Sequence, residues 1–334
     1  MDDTLYGVRD RKGDWRPRAP LATAPLFAFP PRPLELLRWL PSYFLPWNAL
    51  YFALAALFWF FLTPGTETMR TLSWDWALWI LLRNTATVLL FYGAFELRLY
   101  IRRAQGTRFK YNARFPSDTR RKTLLFGRQD LDNMARTFGS GVPIWSGYEI
   151  LILWVFANSW APMAGFAAHW AWLLTLLVLV KVFHEAHFYF VHRLIHVPWL
   201  YRHVHSVHHQ AVNPSPWSSL SMHPVEHLLY FSGSLVHLVI FSHPLLAVYQ
   251  LCYAGFGAIG GHLGFDKIET GKDGAIDTES YDHYLHHKHF EVNYGSGLVP
   301  LDRWFGTWHD GTPEADARMQ ARRRGARKTA PGRE

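Results

Sequence analysis

Three short stretches of the chain concentrate imidazoles at spacings that suit metal binding. His192 and His196 bracket HRLIH, His205, His208 and His209 lie in HVHSVHH, and His283, His286 and His287 lie in HYLHH. On a helix, residues three or four apart share a face, so each stretch can aim two or three ring nitrogens at one ion. One HxxxH is a weak signal, but two HxxHH groups and an HxxxH in one chain form a strong one. Eight imidazoles exceed what a single ion needs, so two metals sharing a nitrogen-rich site is the economical reading. The chain has one cysteine, Cys252, which excludes thiolate clusters and an internal disulfide framework and leaves histidine to carry the metal chemistry. Imidazole suits iron, zinc and copper alike. Iron is expected here, because the first histidines continue an apolar helix, the approach is apolar, and no hydrolase nucleophile accompanies them. Neutral imidazoles leave a di-iron centre electrophilic, which suits activation of O2 against an inert C–H bond.

The elements that must position these groups are apolar. Aromatic residues make up 16% of the 334 residues and include 16 Trp, an excess that points to a lipid interface. Mean hydropathy is only -0.05, so the apolar residues are gathered into segments. Tyr43 to Leu62 and Trp74 to Ile101 are each long enough to span a bilayer as a helix, the second despite Arg83 and Asn84. Ile144 to Ala157 is shorter and contains Glu149, and Trp170 to Phe183 runs directly into the first histidines. Val225 to Ile259 is apolar again, with a natural bend at Ser242-His243-Pro244. The expected fold is therefore all-α: about four transmembrane helices, a bent hydrophobic hairpin and a histidine-rich di-metal cap. Residues 1–42 are expected as a polar N-terminal segment without a cleavable signal peptide, 43–313 as the membrane domain, and 314–334 as a basic tail without structure.

Charge sets the expected orientation. Arg102 to Arg136 is dense in Lys and Arg, whereas Ser159 to Trp170 contains neither. The positive-inside rule puts the basic stretch, both termini and the histidine groups in the cytosol of a multi-pass protein. The net charge of +8 is accounted for by loops beside anionic lipid, so no nucleic-acid partner is expected.

Read in order, these motifs resemble the fatty acid hydroxylase/sterol desaturase superfamily. Glu185 to His196 (EAHFYFVHRLIH) is similar to its first histidine box, and His205 to His209 (HSVHH) to its second. Ser215 to Glu226, with its HPVE, resembles the segment that follows; Gly261 to Asp266 resembles the isolated-histidine turn; and His283 to His287, Asn293-Tyr-Gly295 and Asp302 to Thr307 resemble the third box and closing motif. The likeness extends over about Arg83 to Trp308. It implies ten metal ligands: His192, His196, His205, His208, His209, His223, His262, His283, His286 and His287. It also implies two iron ions, O2 as co-substrate, a membrane lipid as substrate and electrons from a cytochrome b5-like protein, a ferredoxin or a reductase. The chain departs from the family pattern at Phe190, where Trp is usual, and at Glu185, where Asp is usual.

Helical spacing alone puts Glu185, Tyr189, His192 and His196 on one stripe, where Glu185 could orient a ligand. Glu226 and Asp282 are the other candidate supporting carboxylates. The remaining histidines, His203 and His227 among them, are expected as satisfied polar groups. Gly255 to Gly260 matches GxGxxG but lacks a preceding strand, so it is expected to serve close helix packing rather than a dinucleotide. The expected function is hydroxylation or desaturation of a sterol-like or long-chain lipid. A competing expectation is a non-enzymatic electron carrier that binds haem between histidine pairs.

Overall fold

Three helices are long and apolar enough to cross a membrane in a computed structural model that describes residues 1–116 and 124–329: Trp74–Ile101, Gln129–Ala157 and Phe166–Ile195. A fourth span is present if the pair Pro33–Phe44 and Trp47–Leu62, bent by 43°, is counted as one. The helices are α1 (Pro33–Phe44), α2 (Trp47–Leu57), α3 (Thr66–Met69), α4 (Trp74–Phe95), α5 (Gln129–Arg136), α6 (Val142–Ala157), α7 (Phe166–Ile195), α8 (Pro198–His203), α9 (Pro224–Phe231), α10 (Pro244–His262), α11 (Tyr281–His289), α12 (Leu301–Trp304) and α13 (Pro313–Thr329). Turns of π-helix extend α2 to Leu62 and α4 to Ile101, and another joins α5 to α6. Two short antiparallel hairpins complete the described elements: β1 (Gly7–Arg9) with β2 (Trp15–Pro17), and β3 (Lys267–Glu269) with β4 (Ala275–Asp277).

Several boundaries differ from the sequence expectation. The first apolar segment is broken at Pro46, which has no N–H to donate and disfavours helix at Leu45 before it, so α1 and α2 meet at an angle. The segment around Ile144 is longer than expected, because α5 leads into α6, with Gln129 donating to the Asn213 carbonyl and Asp132 accepting from the Leu125 N–H and from Arg136. The Val225–Ile259 segment bends at Pro244 as expected. Its second arm, α10, is almost entirely buried by other helices and acts as the central post of the fold. Gly255 makes that possible: a Cβ there would lie 2.2 Å from the Trp145 ring of α6. The GxGxxG stretch thus packs helices.

Both polar ends carry regular structure, and at the C-terminal one this differs from the expectation of a tail without structure. The N-terminal segment folds as a hairpin whose Trp15 is buried against Phe109 and Tyr111. The C-terminal tail is helical through Thr329, because Arg322 and Arg323 reach the carbonyls of Gly306, Glu291 and His289 and the Glu291 carboxylate. Part of the basic Arg102–Arg136 stretch, residues 117–123, lies outside the described residues, as do 330–334.

Two of the charges inside the membrane-like helices meet each other. Arg83 of α4 pairs with Glu149 of α6, and Asn84 bridges them, accepting from Arg83 and donating to Glu149 Oε2 at 3.0 Å and Ser146 Oγ at 3.1 Å. Each charge, costly alone in an apolar surround, has a partner.

Candidate metal centre

The histidine stretches converge at one end of this bundle. The C-terminal turn of α7 supplies His192, and His196 caps it; a 3-10 turn over His205–Gln210 supplies three more. The last residue of α10 is His262, and α11 brings His283, His286 and His287. These nine rings sort into two groups, His192, His196, His205, His209 and His286, and His208, His262, His283 and His287, each with its ring nitrogens within 4.8 Å of one another. The HxxHH spacing serves both groups at once: on each stretch the residues one apart go to opposite groups.

The nitrogens face inward at close range. In the second group, His208, His262, His283 and His287 form a closed ring of Nε2 to Nε2 approaches of 3.1–3.2 Å. In the first, His209 Nε2 lies 3.0 Å from His205, 3.2 Å from His196 and 3.1 Å from His286.

The outer nitrogens show that these approaches are not all ordinary hydrogen bonds. Nδ1 of His192, His208, His262 and His286 meets the backbone carbonyls of Tyr294, Ser221, Ala258 and Val292 at 2.8, 3.2, 2.9 and 2.7 Å. Nδ1 of His205 meets Glu226 Oε1 at 2.7 Å. Carbonyl oxygens only accept, so these rings carry their proton on Nδ1 and turn a bare Nε2 lone pair inward. His208 and His262 are both of this kind, so their 3.1 Å approach brings two lone pairs together without a proton between them. His192 Nε2 is buried with no partner at all. Burial holds His205, His209, His283, His286 and His287 well below the usual imidazole pKa and brings His208 down to about 4, so protonation does not resolve the crowding. A cation does. A metal–imidazole bond of about 2.0–2.1 Å puts neighbouring ligand nitrogens about 3 Å apart, which is the spacing found here.

Of the ten sequence candidates, the structure does not bring His223 to either group. Its Nδ1 accepts from the Val225 N–H at 3.2 Å and caps α9. The three carboxylates also separate. Glu226 touches a clustered ring directly. Glu185 instead accepts from the Ser296 N–H and, at 2.5 Å, from its hydroxyl, clamping the loop whose Tyr294 carbonyl orients His192. Asp282 accepts from the His283 N–H at 2.6 Å, and burial raises its carboxyl well above the usual range. Asp302, quoted in the sequence only as part of a motif, holds the same loop from its other side through the N–H groups of Tyr294 and Gly295. His227 sits between Ser140 and the Leu220 carbonyl, and His203 on the Trp199 carbonyl.

A cavity opens onto the cluster. It is lined along α7 by Lys181, His184, Glu185, Phe188 and His192, a stripe at helical spacing, and across from it by residues of α2 and α10.

The model of the fatty acid hydroxylase family matches residues 177–307, a shorter stretch than the likeness read from Arg83 onward. A Δ7-sterol 5(6)-desaturase of Gibberella zeae is 29% identical over 156 residues, 44% of this chain and 46% of that protein. Methylsterol monooxygenase 1 of Gallus gallus is 31% identical over 141 residues, 41% and 47% of the two chains. A very-long-chain aldehyde decarbonylase of rice is 28% identical over 148 residues, 42% and 55%. The chain thus spans about half the length of the curated relatives it matches. No solved structure matches it. The matched stretch contains every one of the nine converging histidines, and over it the chain is similar to the fatty acid hydroxylase/sterol desaturase superfamily.

Proposed function

We propose that the chain is an O2-dependent di-iron oxidoreductase that hydroxylates or desaturates a membrane lipid. The observation that carries this reading is the inward convergence of bare Nε2 lone pairs in two adjacent groups. His192, His196, His205, His209 and His286 would hold one ion and His208, His262, His283 and His287 the other, with His223 left to cap α9. Nine neutral nitrogen donors without a carboxylate among them suit iron kept electron-poor. When bound, that pair of ions supplies the activation of O2 needed to attack an unactivated C–H bond.

The protein's own residues then do the remaining work. Nδ1 contacts to carbonyls and to Glu226 fix the tautomer and direction of five ligand rings. Glu185 and Asp302 hold the loop behind His192 from two sides, so ring placement survives thermal motion. Phe188, with its ring centroid 4.9 Å from that of His192, and Tyr230 against it present an apolar wall that would align an acyl chain or ring system and exclude water. Hydroxylation consumes O2, two electrons and two protons, and gives the alcohol and one water. Desaturation consumes the same and gives the alkene and two waters. A separate redox protein, cytochrome b5-like, ferredoxin or reductase, would deliver the electrons.

The cap is assigned to the cytosol. The basic stretch is tied to the histidine side of the bundle: Arg108 bonds to Glu269, and Lys110 bridges to Phe265, three residues beyond His262. The positive-inside rule therefore applies to both together. The haem alternative is disfavoured, because nitrogens 3.0–3.2 Å apart leave no room for a porphyrin between them.

Lipid profiling of a host with and without the gene tests the reading. A mass gain of one oxygen marks hydroxylation and a loss of two hydrogens marks desaturation. Unchanged membrane lipids together with a water-soluble product and O2 uptake would overturn the lipid assignment.

A further inference from the structure

The cavity beside the histidines has a polar end that the chemistry above does not use. Asn48, in the first turn of α2, is buried and lines the cavity. Its Nδ2 donates to the Tyr43 carbonyl, which fixes the direction of the amide, because the reverse orientation would set two oxygens against each other. Its Oδ1 is left buried without any hydrogen-bond partner. An unpaired amide oxygen in such a place is destabilising unless something donates to it.

Lys181 lines the same end. It belongs to an apolar helix, its ammonium lies 5.3 Å from the centre of the Tyr43 ring, and Glu279 is 3.8 Å away. Tyr43 thus links the two residues, holding the Asn48 amide with its carbonyl and lying under Lys181 with its ring. An ammonium offers three donors and no acceptor.

We propose that Asn48 and Lys181 read a hydroxyl group on the lipid, which donates to Asn48 Oδ1 and accepts from Lys181 Nζ. The assignment rests on the lipid-oxidising reading of the cavity and narrows its substrate class to lipid alcohols. A hydroxyl is both donor and acceptor and satisfies both residues. A carboxylate could use Lys181 only, and would face two further acceptors, Asn48 Oδ1 and the Glu279 carboxylate. Eleven residues separate Lys181 from His192 on α7, a rise of about 16 Å. The hydroxyl is accordingly remote from the carbon brought to the histidines.

The test measures binding to the purified, metal-loaded full chain in detergent. The probes are hexadecan-1-ol, its methyl ether and hexadecanoic acid, with cholesterol and its methyl ether as a rigid pair. An ether keeps the acceptor and loses the donor. The wild type is expected to bind an alcohol about tenfold more tightly than its ether in at least one series. Asn48→Leu removes that preference, whereas Lys181→Met weakens alcohol and ether alike and leaves the preference standing. Should Asn48→Leu fail to fold, the wild-type ratio and Lys181→Met still decide. Equal binding of alcohol and ether in both series, tighter binding of the acid, or no binding of any probe overturns the hydroxyl assignment. Metal content and oxidised host lipid, read in parallel, separate the two levels. Their presence beside a failed alcohol preference sinks only the role of Asn48 and Lys181, and their absence sinks the reading of the site.

Discussion

Two of the buried polar clusters in this molecule are opposites. Around Arg83 and Glu149, guanidinium donors meet carboxylate and amide acceptors, so the cluster is complete without any visitor. Around the nine histidines, five rings turn their Nδ1 donor outward to carbonyls and to Glu226, and between His208 and His262 acceptor faces acceptor. Both clusters are deeply buried and both draw on residues far apart in the chain. Burial of polar groups therefore does not mark a functional site; the balance of donors against acceptors does.

The largest expected effect separates the clusters by metal. Wild-type protein is expected to carry two ions per chain by elemental analysis, and His208→Ala or His286→Ala to fall to one or fewer, with lipid oxidation lost. About one ion per chain, unchanged in both variants, would break the contrast at its root.

Next in size is the effect of opening the closed cluster. Arg83→Met strands a buried carboxylate and is expected to cost about 3–5 kcal/mol of stability, while Arg83→Met with Glu149→Leu recovers most of it. Thermal unfolding of the single and double variants, with metal content read on each, checks both halves. If the double variant were as damaged as the single, the cluster would not be the self-contained pair described.

The smallest effect tests the outward side of the histidine cluster. Glu226→Leu leaves every proposed ligand in place and removes only the partner of His205 Nδ1, so metal affinity is expected to fall about 10–100-fold without loss of the fold. Chelator competition measures it. An unchanged affinity would reduce Glu226 to a packing residue.

Much of the site was legible beforehand, for a physical reason. Ligand spacing on a helix is a local property, so His192 with His196, and His208 with His209, announced themselves from sequence. The sorting into groups was not legible. Neighbours such as His208 and His209 turn to different centres, and only the packing of α7, α10 and α11 around the 3-10 turn makes that so. His223 stood in a motif that resembles a ligand segment, yet helix capping uses its ring. The role of Asp302 was hidden because it acts on backbone N–H groups that sequence does not display, and the Tyr294, Val292, Ser221 and Ala258 carbonyls are invisible for the same reason.

Composition and periodicity by themselves determined that the chain is helical, apolar in segments and rich in imidazole at ligand spacing, because those properties depend on residue type and on separations of a turn or two. The tertiary structure alone decided that Arg83 meets Glu149, that α10 is a buried post rather than a lipid-facing span, and that Asn48, which lines the cavity, keeps a buried unpaired oxygen. Each of these is a contact between distant segments, and its energy depends on which partner arrives. No local pattern records that arrival.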